Sequence, residues 1–337
     1  MIKIGLIGYG YWGTNLLRNF FAVKKCSVVK VCDFRKKRLE LAKKLFPSIK
    51  TTCHDKEIIN DKEIQAIVIA TPVSLHYSLA KKGLSANKHV LVEKPMADSL
   101  KKASDLISLA RKKDKILMVD HTFLYSPAVK KIKMLIDNNE LGKIQYFDST
   151  RINLGLFQPD INVLWDLAAH DLSILCYLIR ENPHTVQAIG ISHTPNKIEN
   201  IAYLTLKYKS GIIAHVSCSW SSPVKIRTTL IGGDKKMIRY DDLEPTEKIK
   251  IYDTSYDYKI NHGANKKSLL VNYRVGDIYL PRIEIQEPLN LMARDFIKSI
   301  KKHTQPISNY KIGFKVVKIL AIAQKSLKNK SRAIGYQ

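Results

Sequence analysis

The tightest constraint on this chain is the run Gly8-Tyr9-Gly10-Tyr11-Trp12-Gly13, set between a short apolar segment and a helical pattern that begins at about Gly10. In such a fingerprint the first glycine permits a tight turn, the second lets the backbone approach a pyrophosphate, and the third allows close helix–strand packing. The helix N-terminus adds unpaired N–H groups and the positive end of its dipole. The next apolar run ends in Asp33, close to the offset of about 20 residues at which a carboxylate accepts hydrogen bonds from an adenosine ribose. A simple tight turn would explain the glycines alone, but not their place in a strand-helix-strand unit followed by this acid. The pattern predicts a dinucleotide held by Gly8, Gly10, Tyr11, Trp12, Gly13 and Asp33. It favours NAD over NADP, because a carboxylate repels a 2′-phosphate. Arg35 and Arg38 lie nearby and keep NADP open; as solvated helix residues they have an equally simple reading.

Short apolar runs alternate with amphipathic, Lys-rich stretches through the first third of the chain, which predicts repeated strand-helix units and a parallel sheet. The expected strands are Lys3 to Ile7, Ser27 to Cys32, Ala66 to Ile69, His89 to Val92 and Ile116 to Val119. Helices are expected at Tyr11 to Phe21, Arg35 to Lys44, Ser74 to Leu84 and Ser99 to Lys112. After Asp120-His121 the pattern changes to strand-like runs with helices at Pro127 to Asn138, Leu164 to Ile179 and Ile312 to Lys325. The expectation is an α/β chain: a doubly wound parallel sheet over residues 1–121, then an α+β domain with a large, mainly antiparallel sheet over residues 122–337. Pro245 to Leu270 is polar and reads as a hairpin or an excursion at one end of that sheet.

A length of 337 residues suits two domains. The 56 Lys and Arg exceed the 30 Asp and Glu by 26, a field that would attract nucleic acid, anionic membrane or phosphorylated substrates. The lysines nevertheless come as pairs scattered over most of the chain, as compositional bias would place them, and no nucleic-acid motif accompanies them. Five cysteines (Cys26, Cys32, Cys53, Cys176 and Cys218) form no Cys-x-x-Cys pair, which argues against a disulfide framework or a zinc site and for a reducing compartment. No apolar run approaches the roughly 20 residues of a membrane span, and the first residues read as a strand and not as a leader. A cytoplasmic protein without metal or membrane partner is expected.

Three further constellations carry chemistry. Ala70-Thr71-Pro72, followed by His76, and Glu93-Lys94-Pro95 each close an expected strand, and ligands of doubly wound sheets lie at the carboxyl ends of strands. Lys94 there could stabilise an alkoxide developing during oxidation; a surface lysine is the alternative in so basic a chain. In Trp165-Asp166-Leu167-Ala168-Ala169-His170 the acid and the histidine stand four residues apart on one helix face. A histidine oriented by a carboxylate is a general base for an alcohol proton, and a salt-bridged core histidine is the competing reading.

These motifs, with Lys88 to Pro95, His121 to Ala128 and Glu140-Leu141-Gly142-Lys143-Ile144, resemble the glucose-fructose oxidoreductase / inositol dehydrogenase (Gfo/Idh/MocA) family. The resemblance is dense to about residue 180 and looser beyond. It implies a Rossmann domain, an open-faced antiparallel sheet domain, a nicotinamide cofactor and a sugar, polyol or sugar-derivative substrate. It makes Lys94 and His170 the catalytic pair, supported by Asp166, and adds Arg38, Thr71, Pro72, His76, Glu93, Lys94 and Trp165 to the cofactor set. A substrate set of Lys94, His121, Arg151, Asn153, Asn162, Asp166 and His170 follows from the same resemblance. Tyr11-Trp12-Gly13-x-Asn15 with Arg18-Asn19-Phe20, and Arg151 to Gly155, look like the subgroup that oxidises UDP-N-acetylglucosamine or its uronic acid at the 3-hydroxyl. Asn162-Val163-Leu164-Trp165 departs from that subgroup, where a Gly-Gly pair is common. A homodimer or homotetramer through the second-domain sheet is expected. The alternatives are a dehydrogenase of free sugars or inositols and a non-catalytic NAD-binding sensor.

Overall fold

The computed structural model describes residues 1–155, 157–262 and 267–336. Its first part runs β1 (Ile2–Ile7), α1 (Tyr11–Phe21), β2 (Cys26–Cys32), α2 (Lys36–Leu45), β3 (Lys50–Thr52), α3 (Lys56–Ile59), β4 (Ala66–Ile69), α4 (Val73–Ser85), β5 (His89–Glu93), α5 (Leu100–Lys112) and β6 (Leu117–Asp120). The six strands form one parallel sheet in the order β3-β2-β1-β4-β5-β6. Strand order reverses between β1 and β4, so the loops leaving these two strands diverge and open a crevice at their carboxyl ends. Ile67, Val68 and Ile69 are wholly buried, as expected for strands covered on both faces. The three-residue β3 escapes the pattern because Lys50-Thr51-Thr52 carries no apolar residue.

The chain continues through α6 (Pro127–Asp137), β7 (Ile144–Ile152), a π-helical turn (Leu164–Ala168), α7 (Ala169–Leu178), β8 (Thr185–Ile191), β9 (Ile201–Lys207), β10 (Ile213–Ser219), β11 (Ile226–Gly233) and β12 (Met237–Asp241). Then come β13 (Ile249–His262), β14 (Lys267–Tyr279), α8 (Pro288–Lys302), α9 (Tyr310–Lys328) and β15 (Ile334–Gly335). The second sheet has nine strands in the order β14-β13-β12-β11-β7-β10-β9-β8-β15 and is antiparallel except for β10 against β7. Its strands alternate: in β9, Ala202, Leu204 and Leu206 are buried while Tyr203 and Lys207 face outward, the mark of a sheet covered on one face only. The polar excursion is the β13–β14 hairpin; its residues 263–266 lie outside the described residues.

Two units emerge, Met1–Ser126 with Gln286–Ala321, and Pro127–Ile285 with Ile322–Gln337. Helix α8 belongs to the first unit although it follows the second sheet in the chain. Pro288 opens that helix, where a missing N–H costs nothing. Leu289, Met292, Ala293, Phe296, Ile297 and Ile300 then line one buried face. Phe296 meets Phe20 of α1 edge-on at 6.2 Å, and Glu287 accepts hydrogen bonds from Arg18 and Asn19 of the same helix.

Candidate functional site

The glycine loop divides into positions the fold needs and one it does not. Gly8 has φ +97°, and a Cβ there would lie 2.3 Å from the Ala70 carbonyl oxygen. A Cβ on Gly13 would lie 2.1 Å from the Gly8 carbonyl oxygen. Both glycines therefore serve the close approach of β1, β4 and α1. Gly10 is different: its φ is −80° and the nearest atom to a built Cβ, Nη2 of Arg35, is 3.7 Å away. Internal packing leaves room for a Cβ at that position, so its lack of a side chain suits a group resting on the loop. Gly10 also caps α1 without a side-chain hydrogen bond, which leaves the first-turn N–H groups to an external anion. These features fit the pyrophosphate of a dinucleotide.

Asp33, at the end of β2, is buried. Its Oδ2 accepts from the Tyr9 N–H at 2.7 Å and from Arg35 Nη2 at 2.9 Å, and its Oδ1 accepts from the N–H and Nε of Arg35 at 3.0 and 2.9 Å. Burial opposes the charge, but the hydrogen bonds from Arg35 and Tyr9 outweigh it and hold the carboxyl below its ordinary value. A ribose hydroxyl reaching Asp33 must compete with the Arg35 guanidinium. Phe34, next in the chain, is 80% exposed with Arg35 stacked on it at 5.1 Å, and Tyr11 at the start of α1 is 83% exposed. The sequence reading included Tyr11 but missed Phe34, although an exposed aromatic directly after the strand-end acid is a readable signal. Arg38 lies half-buried on α2.

The ends of β4, β5 and β6 hold a second group in the same unit. Pro72 caps α4, and the Thr71 hydroxyl is sealed without a hydrogen-bond partner among the described residues. The buried His76 sets Nε2 2.8 Å from the Thr71 carbonyl oxygen and Nδ1 2.8 Å from that of Pro95, tying the loop after β4 to the loop after β5. Burial keeps its pKa below the usual value, and a neutral ring donates to only one of those carbonyls. Glu93 and Asp120 stand opposite each other on β5 and β6. Asp120 accepts from Trp12 Nε1 at 2.7 Å and from the Thr122 hydroxyl. Glu93 Oε2 accepts from the Lys94 N–H at 3.1 Å. Burial first, and then the Asp120 charge, push Glu93 well above the carboxylate range. His121 is buried with neither ring nitrogen hydrogen-bonded among the described residues; burial, helped by Lys94, lowers it to about 3. Lys94 thus adjoins an acid whose charged form burial disfavours, and a histidine whose protonation burial opposes. Asp120 was not foreseen, because its role depends on Trp12, 108 residues earlier.

In the second unit, Asp166 and His170 are half-buried where the π-turn passes into α7. The expected uninterrupted helix from Leu164 is thus corrected to a π-turn of five residues, an irregularity that is frequent at functional sites. Asp166 Oδ2 accepts from Nε1 of the buried Trp220 at 3.0 Å, a partner absent from the sequence reading. Two residues of the expected substrate set are engaged by partners within the unit. Arg151 is 3% exposed and donates from Nε and Nη2 to Asp171, itself 2% exposed, at 2.7 and 3.0 Å. Asn162 donates to Glu199 and Gln324, each at 2.9 Å, and accepts from the Trp165 N–H at 3.3 Å, so its amide fastens the start of the π-turn. Trp165 is buried, and Asn153 is half-buried with its backbone N–H on the Ser219 carbonyl. No group of three or more His, Cys, Asp or Glu stands ready for a metal ion among the described residues.

A family profile described as "Oxidoreductase family, NAD-binding Rossmann fold" matches residues 2–121, and one described as "GFO/IDH/MocA C-terminal domain" matches residues 129–239. The chain is 31% identical over 167 residues to the uncharacterized oxidoreductase YdgJ of Escherichia coli, a match covering 49% of this chain and 46% of that protein. It is 27% identical over 227 residues to the UDP-N-acetylglucosamine 3-dehydrogenase of Acidithiobacillus ferrooxidans, covering 65% and 67%. With the myo-inositol 2-dehydrogenase of Thermotoga maritima it shares 23% identity over 341 residues, covering 98% and 97%. An oxidoreductase from Agrobacterium radiobacter, solved with NAD+, L-tartaric acid and magnesium, has the same fold, with a TM-score of 0.83 at 18% identity over 99% and 98% of the chains.

Proposed function

The chain belongs to the GFO/IDH/MocA family of oxidoreductases, and we propose that it moves a hydride between NAD and a ring hydroxyl or ketone of a sugar. The substrate we favour is nucleotide-linked, a UDP-N-acetyl-hexosamine or its uronic acid reacting at the 3-position. The observation that carries the reading is the glycine loop, where Gly10 is bare although the fold does not require it. The loop from Gly8 to Gly13 and the first turn of α1 hold the pyrophosphate, and Asp33 reads the ribose. Bound NAD supplies the hydride acceptor. His170 takes the hydroxyl proton, Asp166 orients its imidazole, and Lys94 stabilises the developing oxyanion. The place of Lys94 at the end of β5, directly after Glu93, supports that role. Arg35 and Arg38 leave NADP as a second cofactor.

A dehydrogenase of free inositols or sugars is the second reading, favoured by the nearly full-length match to the Thermotoga maritima enzyme. The outward face of the second sheet carries Ile189, Ile191, Tyr203 and Ile213, each between 44% and 54% exposed, which supports a homo-oligomer through that face. The scattered free cysteines support a cytoplasmic setting; no helix among the described residues is long and apolar enough to cross a membrane.

The test is reduced-nicotinamide absorbance with purified protein, NAD and a panel of UDP-sugars, free sugars and inositols. Turnover of one UDP-sugar is expected, lost in Lys94→Ala and His170→Ala while NAD binding persists. Preferential turnover of an inositol would establish the second reading. Tight NAD binding with no turnover in either direction would leave a sensor. Loss of NAD binding in folded His170→Ala would contradict the assignment of that residue.

A further inference from the structure

We propose that the first unit carries a second ligand site, for a small molecule bearing an oligophosphate chain, in a basic cavity formed by α8 and the turn between α1 and β2. The cavity measures about 560 Å³, within the usual range of small-molecule sites, roughly 300–1,000 Å³. Its wall holds six cations: Lys24 and Lys25 from the turn, and Arg294, Lys298, Lys301 and Lys302 from α8. No acid lines it, and Val23 and Ile297 supply a buried apolar floor. It lies where β1 and β2 begin, whereas Gly8 and Asp33 lie where they end. Six residues at about 3.3 Å each separate the two places by roughly 20 Å, so this cavity is distinct from the glycine loop.

Total charge does not explain the arrangement. Elsewhere in the same unit five lysines are paired with acids, Lys3 with Glu63, Lys30 with Asp61, Lys81 with Asp105, Lys82 with Asp55, and Lys102 with Asp98, and others such as Lys37 and Lys112 are exposed without an ion pair among the described residues. What sets the cavity apart is six cations on one concave wall with no acid in it. None of the six cavity cations has an ion-pair partner among the described residues. Asp295 lies within α8, but its carboxylate is taken by the Tyr125 hydroxyl and the Ile307 N–H. Arg294 and Lys298, and again Lys298 and Lys302, are like charges four residues apart, a spacing that costs about 0.2–0.5 kcal/mol per pair.

Helix dipoles account for only part of this. Cations are favoured within the last turn of a helix, which covers Lys301 and Lys302. Arg294 and Lys298 stand farther back. Two helix C-termini contribute roughly one negative charge between them, against six positive ones. The remaining field, focused by a concave wall, suits a multiply charged anion. The enclosed volume and the apolar floor favour a small molecule over a flat polyanion such as nucleic acid.

The experiment is calorimetric titration of the full chain, in saturating NAD, with inorganic tripolyphosphate, with ATP and with a single-stranded DNA oligonucleotide. It compares Lys298→Glu/Lys301→Glu with Lys37→Glu/Lys112→Glu, an exposed pair elsewhere in the unit that changes net charge equally; thermal melts check that both fold. Saturable one-to-one tripolyphosphate binding is expected, weakened at least tenfold in the first variant and unchanged in the second. ATP binding tighter than tripolyphosphate would identify a nucleotide that uses the apolar floor; equal or weaker binding would identify the phosphate chain itself. Absence of saturable binding, equal weakening by both variants, or preference for DNA over both phosphate compounds would overturn the proposal. The readout is independent of turnover, so a failed sugar assay leaves it intact.

Discussion

Replacing Asp171 by Asn tests whether the second unit is built around a buried charge pair. Arg151 and Asp171 are 3% and 2% exposed and joined by two hydrogen bonds at 2.7 and 3.0 Å. The substituted amide would keep the shape and lose the charge, removing the carboxylate that both hydrogen-bonds and charge-pairs the desolvated guanidinium and leaving Asp242 as the remaining acid acting on it. Breaking such a pair costs about 3–5 kcal/mol. At about 2–4 °C per kcal/mol for a unit of this size, the melting temperature should fall by roughly 6–20 °C. Calorimetry at pH 7 measures this. The decisive companion is Arg151→Met/Asp171→Leu, which removes both charges at nearly constant volume and should recover most of the loss. An Asp171→Asn protein within about 1 kcal/mol of wild type, or a double variant no better than the single one, would refute the reasoning. A stable double variant with ordinary substrate KM would confirm that Arg151 is framework.

Gly10→Ala should fold with unchanged melting temperature, since its Cβ meets nothing closer than 3.7 Å, yet bind NAD at least tenfold more weakly. Gly8→Ala should lose about 2–3 kcal/mol from the positive φ and the 2.3 Å approach to Ala70; equal stabilities would show that the two glycines are not distinguished in this way. Glu93, neutral in the fold by its raised pKa, holds a proton that the unfolded chain releases above about 4.5, so wild-type stability should fall as pH rises from there through the folded value. Glu93→Gln should lack that fall, and denaturant melts at pH 5 and pH 8 that show the same difference between the proteins would sink the idea. Asp33→Ala should lower NAD affinity and shift preference toward NADP, because it frees Arg35 for a phosphate; an unchanged preference would place ribose recognition elsewhere.

What the sequence disclosed and what it hid divide by the range of the interactions. The glycine loop was legible because Gly8, Gly10 and Gly13 act through a turn and the helix it feeds, all within a dozen residues. The parallel sheet was legible because a strand buried on both faces has to be a run such as Ala66 to Ile69. Helix α8 was overlooked although Pro288 and its apolar spacing were in view; its return to α1 rests on Phe20 and Phe296, far apart in the chain. Arg151 and Asn162 read as substrate contacts through the family resemblance of the segments that hold them. Their partners, Asp171, Glu199 and Gln324, are chosen by the tertiary fold, as is the Trp220 that holds Asp166.

The same distinction governs the charge. A net +26 says little by itself, because a chain biased toward lysine is basic whatever it binds. Information lies in the departures from local neutralisation. Where a lysine on a helix meets an aspartate across a groove, as Lys82 meets Asp55, the fold has disposed of the charge and nothing further follows. At the cavity beside α8 six cations converge with no acid in the wall. Scattered surplus lysines, even in sequence pairs, leave acids interspersed among them or face open solvent, where salt screens them over a Debye length of about 8 Å. Convergence on one concave surface maintains a repulsion that an anion would relieve. High salt should therefore stabilise the first unit of the wild type, and should stabilise Lys298→Glu/Lys301→Glu less.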